Sequence, residues 1–251
     1  MRRFLLMALL VVGCAGPGHS AEILFMQSQA NLAFDELLAE YMESLGHTVT
    51  FLDTDVAIDE DQIDAAEQAD LVYIAESLGS ASTHDGSETF IKEVEVPQIW
   101  AEAYAWDEAA LTGDIQFEDF GNTQRANIDE DPEEDFNEGQ TEFYILDPSH
   151  PMAGGFSGTV SVYEDPYSLN WGLTETMGEG VTVIGSVDPE GKYATSFVYD
   201  KGAIMEDGTA AADIRIGLWL GQAGDGAPIY DNLTDDGLAL IKAAIDYGLG
   251  L

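Results

Sequence analysis

Glu76 and Glu102 are the residues of this chain whose type and placement most directly suggest chemistry. Glu76 ends a run read as a buried strand, Asp70-Leu-Val-Tyr-Ile-Ala-Glu76, and Glu102 lies just after a second, Val96-Pro-Gln-Ile-Trp100. In an α/β sheet the chain leaving the carboxyl ends of neighbouring strands lines the crevice where ligands bind, so both carboxylates are expected at one crevice. Two facing carboxylates are the equipment of glycoside hydrolysis, in which their separation decides the stereochemical course. Glu102 lies between Ala101 and Ala103 and close to Trp100, Tyr104 and Trp106. There it is expected to lose solvent and to act as a general base or hydrogen-bond acceptor for a polyol. The plain alternative is a solvated acid in an acid-rich surface.

The loop after the first of these strands holds Ser77, Ser80, Ser82 and His84. His84 is the candidate proton carrier of a catalytic set with Glu76 and Glu102. The serines lack a Gly-x-Ser-x-Gly elbow that would make one a nucleophile, and Ser77 and Ser80 are read as ligand hydrogen-bonding residues. His150, in Asp147-Pro-Ser-His-Pro151, is either a further ligand contact or a turn residue. Tyr104, Trp106 and Trp171 are candidates for an aromatic platform under a sugar face, with core packing as the alternative. No His-x-x-x-His or similar ligand spacing occurs, so no metal and no cofactor is expected. The acids from Asp129 to Asp135, with Asn137 and Gly139, depart from the calcium-loop pattern of alternate ligands with Gly at the sixth position. A solvated acidic block is the default there.

The charge restricts partners. The chain has 48 Asp and Glu against 8 Lys and Arg, a formal net charge of -40. Such a field repels nucleic acid and anionic membrane surfaces and opposes compaction in dilute salt. Screening over about 3 Å at 1 M salt makes it tolerable, which points to a salt-rich, halophilic setting. Met1 to about Ala21 carries two arginines, an apolar run from Phe4 to Val12 and then small residues, the pattern of a signal peptide. Losing Arg2 and Arg3 with this leader leaves six basic residues against the same 48 acids, a formal charge of -42. The chain is therefore expected to be exported. Val11-Val-Gly-Cys14 resembles the lipobox of bacterial lipoproteins, in which the cysteine is lipidated; cleavage near His19-Ser-Ala21 is the alternative. Cys14 is the only cysteine, so no disulfide forms within the chain.

The rest of the chain must position these residues. Glu22–Met26 reads as a first strand. An amphipathic helix follows, with Phe34, Leu37, Leu38, Tyr41 and Leu45 on its apolar face and Gly46 as its left-handed cap. Thr48–Leu52 is a second strand, which completes a βαβ unit with a right-handed crossover and hence a parallel sheet. A short acidic helix over Asp59–Gln68 precedes the central strands. An excursion from about residue 112 to 140 breaks the apolar periodicity. Beyond it, strands are expected at Thr141–Leu146, Thr159–Tyr163, Val181–Val187, Thr195–Tyr199, Ala203–Glu206 and Ile214–Leu220, mostly linked by hairpins. The last helix is capped by Thr234 and presents Leu238, Ile241 and Ile245 on one face. Residues 22–251 are read as one α/β domain.

Several of these segments together resemble the class I glutamine amidotransferase-like superfamily, in particular its ThuA-like branch. They are Leu45-Gly-His-Thr-Val-Thr50, Asp70-Leu-Val-Tyr-Ile74, His150-Pro-Met-Ala-Gly-Gly155 and Leu233-Thr-Asp-Asp-Gly237. The resemblance covers most of residues 22–251. It implies a flavodoxin-like three-layer sandwich with a mainly parallel central sheet, here with a β-richer C-terminal half, and a link to sugar utilisation. The family's Gly-x-Cys-x-Gly elbow is matched by Trp100-Ala-Glu102-Ala-Tyr104, and no thiol follows Cys14, so thioester chemistry is excluded. The expectation is an exported domain that binds or processes a small polar ligand of the carbohydrate kind, touching membrane only through a lipid anchor. A non-catalytic surface interaction module that keeps only the scaffold is the alternative.

Overall fold

The computed structural model describes residues 20–28, 32–53, 60–80, 90–123, 139–221 and 230–251. The leader with Cys14, the residues around His84 and the acidic block at 129–135 lie outside the described residues.

The first half is built from short strands and crossover helices. β1 (Glu22–Gln27), α1 (Leu32–Ser44) and β2 (Thr48–Asp53) form the βαβ unit, followed by α2 (Glu60–Glu67), β3 (Leu71–Ile74), α3 (Phe90–Glu93) and β4 (Gln98–Trp100). All of these strands are parallel to their neighbours, β1 pairing with β2 and β3, and β3 with β4. The second half adds β5 (Phe120–Asn122), β6 (Glu142–Ile145), β7 (Gly158–Ser161), β8 (Asn170–Leu173), β9 (Val181–Ser186), β10 (Tyr193–Tyr199), β11 (Arg215–Gly217) and α4 (Asp235–Gly248). β11 inserts parallel beside β4 and antiparallel to β10, so both halves belong to one sheet in the order β2-β1-β3-β4-β11-β10-β9-β6-β7. β8 pairs with β10 and carries β5 off this path.

The result is an α/β fold on a large mixed sheet of 11 strands with few helices. Parallel pairing is confined to β2, β1, β3, β4 and β11, and the other strand pairs are antiparallel. The expectation of a mainly parallel sheet is corrected to that extent. The expected strand at Ala203–Glu206 also does not form. Asp207 Oδ1 accepts from the Thr209 backbone N–H, which closes a tight turn. Ile204 is left with a single bridge to Ala210.

Two apolar layers sandwich the sheet. Phe34, Leu38 and Met42 of α1 and Leu240, Ile241 and Ile245 of α4 cover one face over Phe25, Tyr73 and Ile99. On the other face Ala66 of α2 and Ile91 of α3 pack with Met26, Ile74 and Trp100. The inward stripe of α1 runs Phe34–Leu38–Met42, leaving Leu37 39% exposed although the sequence reading placed it on the apolar face. Thr234 caps α4 as expected, its hydroxyl accepting from the Gly237 N–H at 2.9 Å. Among the described residues no helix is long and apolar enough to cross a membrane.

Candidate functional site

The carboxyl ends of the parallel strands carry a row of buried polar residues. β1 ends in Gln27, which is 1% exposed and donates to Asp53 at the end of β2. β3 and β4 are in register with Ile74 beside Trp100, and the Ala101 N–H donates to Ile74 O. Glu76 and Glu102 therefore leave the sheet two residues beyond the same rung, and they are only 2% and 4% exposed. An ionisable carboxyl is rarely buried so deeply without a partner or a task.

Glu102 has a structural duty there. Its backbone is extended, and Oε1 accepts from the Tyr104 N–H at 2.8 Å, capping the 3-10 turn of Ala103–Ala105. The small alanines on each side of Glu102 let this turn fold back against the sheet. One carboxylate oxygen is thereby fixed in direction.

On the α1 side this row of buried polar residues includes a group that the sequence reading missed. Asp35, in the first turn of α1, is fully buried, and its Oδ2 accepts from Ser77 Oγ at 2.5 Å. Ser77 Oγ in turn receives the Ser28 N–H at 3.4 Å. Burial lifts the Asp35 carboxyl from 3.8 to about 7, against the opposing pull of the Ser77 hydrogen bond. A carboxyl poised near neutrality can give or take a proton at working pH. The signal was present in the sequence: Asp35, Ala39 and Met42 repeat at helical spacing beside Phe34 and Leu38, which places an acid on a core stripe.

Tyr73 faces the same place from β3. It is fully buried, and its ring stacks on Phe25 at 4.8 Å. Burial, and then the charges of Asp35 and Glu76, hold its hydroxyl well above its ordinary range. Tyr163 is raised by burial in the same way and also senses Glu76 and Tyr73, while its oxygen receives the Gly221 N–H at 3.4 Å. Asn170 closes the far side. Its Nδ2 donates to Ala101 O at 2.6 Å and to Leu220 O at 2.7 Å, which ties the ends of β4 and β11 together. Asp35 Oδ1, Tyr73 Oη, Asn170 Oδ1 and Trp219 Nε1 are buried with no hydrogen-bond partner among the described residues. Trp219 packs edge-on against Tyr163 at 5.3 Å. Native proteins leave few such atoms, so their collection at one end of the sheet is informative.

Other predicted residues fall elsewhere. Tyr104 is half-buried beside Glu102, and its hydroxyl accepts from Asn122 Nδ2 at 3.2 Å. Ser80 is half-buried in the loop after Ser77. Trp106 and Trp171 form no platform with Tyr104, because each is core. Trp106 is fully buried against Phe197 in one apolar layer, and Trp171 stacks edge-on with Tyr193 in the other. The Phe197 ring is itself seated over Gly217, where any Cβ would come within 2.2 Å of it. His150 is a turn residue remote from the crevice. Its Nδ1 accepts from the Met152 N–H, and its ring lies 4.7 Å from that of Tyr247. Tyr247 adjoins Gly248, which abuts Leu71 at the amino end of β3, the opposite end of that strand from Glu76.

A groove of about 370 Å³ also lies at that amino end, between β1, β2 and α2. Its polar lining of Glu22, Asp64 and Gln68 is exposed, and none of the buried polar groups described above lines it. Among the described residues no group of His, Cys, Asp or Glu is arranged to hold a metal ion. Neither a protein-family model nor a curated protein matches this chain.

Proposed function

We propose that this chain is an exported domain of the amidotransferase-like, ThuA-like kind that binds or processes a small polar ligand of the carbohydrate class. The ligand lies in the crevice at the carboxyl ends of β1, β3, β4 and β11, and no cysteine chemistry is involved. The observation that carries this reading is the gathering of buried polar groups at that one end of the sheet. Glu76, Glu102, Asp35, Ser77, Tyr73 and Asn170 are all at most 7% exposed there. The parallel order β2-β1-β3-β4-β11 with helices on both faces supports a flavodoxin-like first half, in which ligands bind at strand ends. The leader and the lipobox-like Val11-Val-Gly-Cys14 support export and a lipid anchor.

The test is a thermal-shift screen of small polar compounds in molar potassium chloride, run on the parent and on Glu102→Gln. A ligand at 100 times its Kd adds about 2.7 kcal/mol of stability, which is readily seen. The expected result is a stabilising compound for the parent whose effect is lost in the variant. The scaffold-only reading is favoured by one observation, that Glu102 already serves as a cap. A screen without a stabilising compound decides for it.

A further inference from the structure

The geometry points to Asp35 and Tyr73 as a hydroxyl-reading subsite at the floor of the crevice, so that its ligand is a neutral polyol. This rests on the reading of the crevice given above and narrows the ligand class.

Two of its polar atoms are unspent. Tyr73 Oη and Asp35 Oδ1 belong to fully buried residues, and neither has a hydrogen-bond partner among the described residues. Both are held in direction. Stacking on Phe25 fixes the Tyr73 ring, and Ser77 Oγ at 2.5 Å from Oδ2 fixes the Asp35 carboxyl. Each senses the same surroundings: Tyr73 feels the charges of Asp35 and Glu76, and Tyr163 feels those of Glu76 and Tyr73. Leaving buried donors and acceptors unmade is costly, so such a pair calls for an occupant.

The donor and acceptor types select that occupant. The Tyr73 hydroxyl stays protonated and offers a hydrogen, whereas above about pH 7 the Asp35 carboxyl is ionised and asks for one. A polyol supplies both kinds of group, an oxygen to accept from Tyr73 and a hydrogen to donate to Asp35. An ammonium group cannot accept from Tyr73. A carboxylate cannot donate to Asp35, and a carboxylate or phosphate would meet the field of Glu76. Water satisfies the same pattern, which makes it the competing occupant.

The experiment measures melting temperature and affinity of the mature chain in molar potassium chloride at pH 8, where Asp35 is ionised. The neutral probes are glucose, xylose and myo-inositol; glucosamine and glucuronate are the charged ones. The expected result is stabilisation by a neutral probe, with affinity falling about tenfold or more in Tyr73→Phe, the loss of one hydrogen bond. The ligand-free Tyr73→Phe protein should melt no lower than the parent, because only an unsatisfied hydroxyl is removed. Asp35→Asn should weaken the same probe. If Tyr73→Phe and Asp35→Asn keep parental affinity while Glu102→Gln loses it, the ligand occupies the crevice but not this subsite, and the inference alone fails. Stabilisation by glucosamine or glucuronate alone overturns the neutral-hydroxyl class. If no probe stabilises the parent, the pair holds only water, and the reading of the crevice falls with it.

Discussion

Replacing Asp35 by Asn tests the buried acid by its own thermodynamics. Burial raises this carboxyl from 3.8 to about 7. A tenfold change in acidity corresponds to about 1.4 kcal/mol, so ionising Asp35 in the folded state costs about 4 kcal/mol relative to the unfolded chain. The sign follows from proton uptake. Between pH 3.8 and about 7 the folded protein keeps a proton that the unfolded chain has released. Stability from this group is therefore full below the lower value, falls as pH rises through the interval, and is level above it. The substituted asparagine carries no such dependence and still offers Ser77 an oxygen acceptor. Its advantage over the parent should grow by about 2–3 kcal/mol between pH 5 and pH 8. In a domain of this size that amounts to roughly 5–10 °C in Tm. Urea denaturation of both proteins at the two pH values, in the same molar salt, measures it. A difference that does not change with pH would show that Asp35 is not held protonated, and the description of the crevice floor would be wrong.

Three further outcomes are expected. Arg215 is fully buried and donates to the carbonyls of Lys92, Val94, Val96 and Ile214, joining the end of α3 and the start of β4 to β11. Arg215→Met should cost about 3 kcal/mol or more in urea denaturation by orphaning those carbonyls, and a loss below about 1 kcal/mol would refute that role. With a formal charge of -40 on the whole chain, melting temperature should climb from dilute to molar potassium chloride, and a flat response would contradict the salt-rich setting. Radiolabelled palmitate fed to the native host should mark the protein and fail to mark Cys14→Ala; unlabelled protein beginning near Glu22 would show ordinary leader cleavage instead.

Much of the architecture was legible because it is local. The βαβ unit, the strands before Glu76 and Glu102 and the Thr234-capped last helix follow from periodicity and capping within short windows. Glu76 and Glu102 were found because an acid directly after an apolar run marks the place where chain leaves a sheet. The course of the sheet was not legible, since β11 inserts beside β4 through pairings more than a hundred residues apart in sequence. β5 and β8, of three and four residues, are too short to show a period and are set by pairing, β5 with β8 and β8 with β10. Trp106 and Trp171 were misplaced because sequence distance from Glu102 says nothing about which apolar layer an aromatic enters. Asp35 was overlooked as one acid among many, although its register on α1 set it apart.

The central claim, that the carboxyl-end crevice is a ligand site centred on Glu102, is tested most directly by titration calorimetry of Glu102→Gln with a compound that stabilises the parent. The glutamine keeps the shape and the Oε1 acceptor that caps Tyr104, so folding is preserved while the charge is removed. The account predicts affinity weakened by about tenfold or more at an unchanged melting temperature. Parental affinity in Glu102→Gln would contradict it.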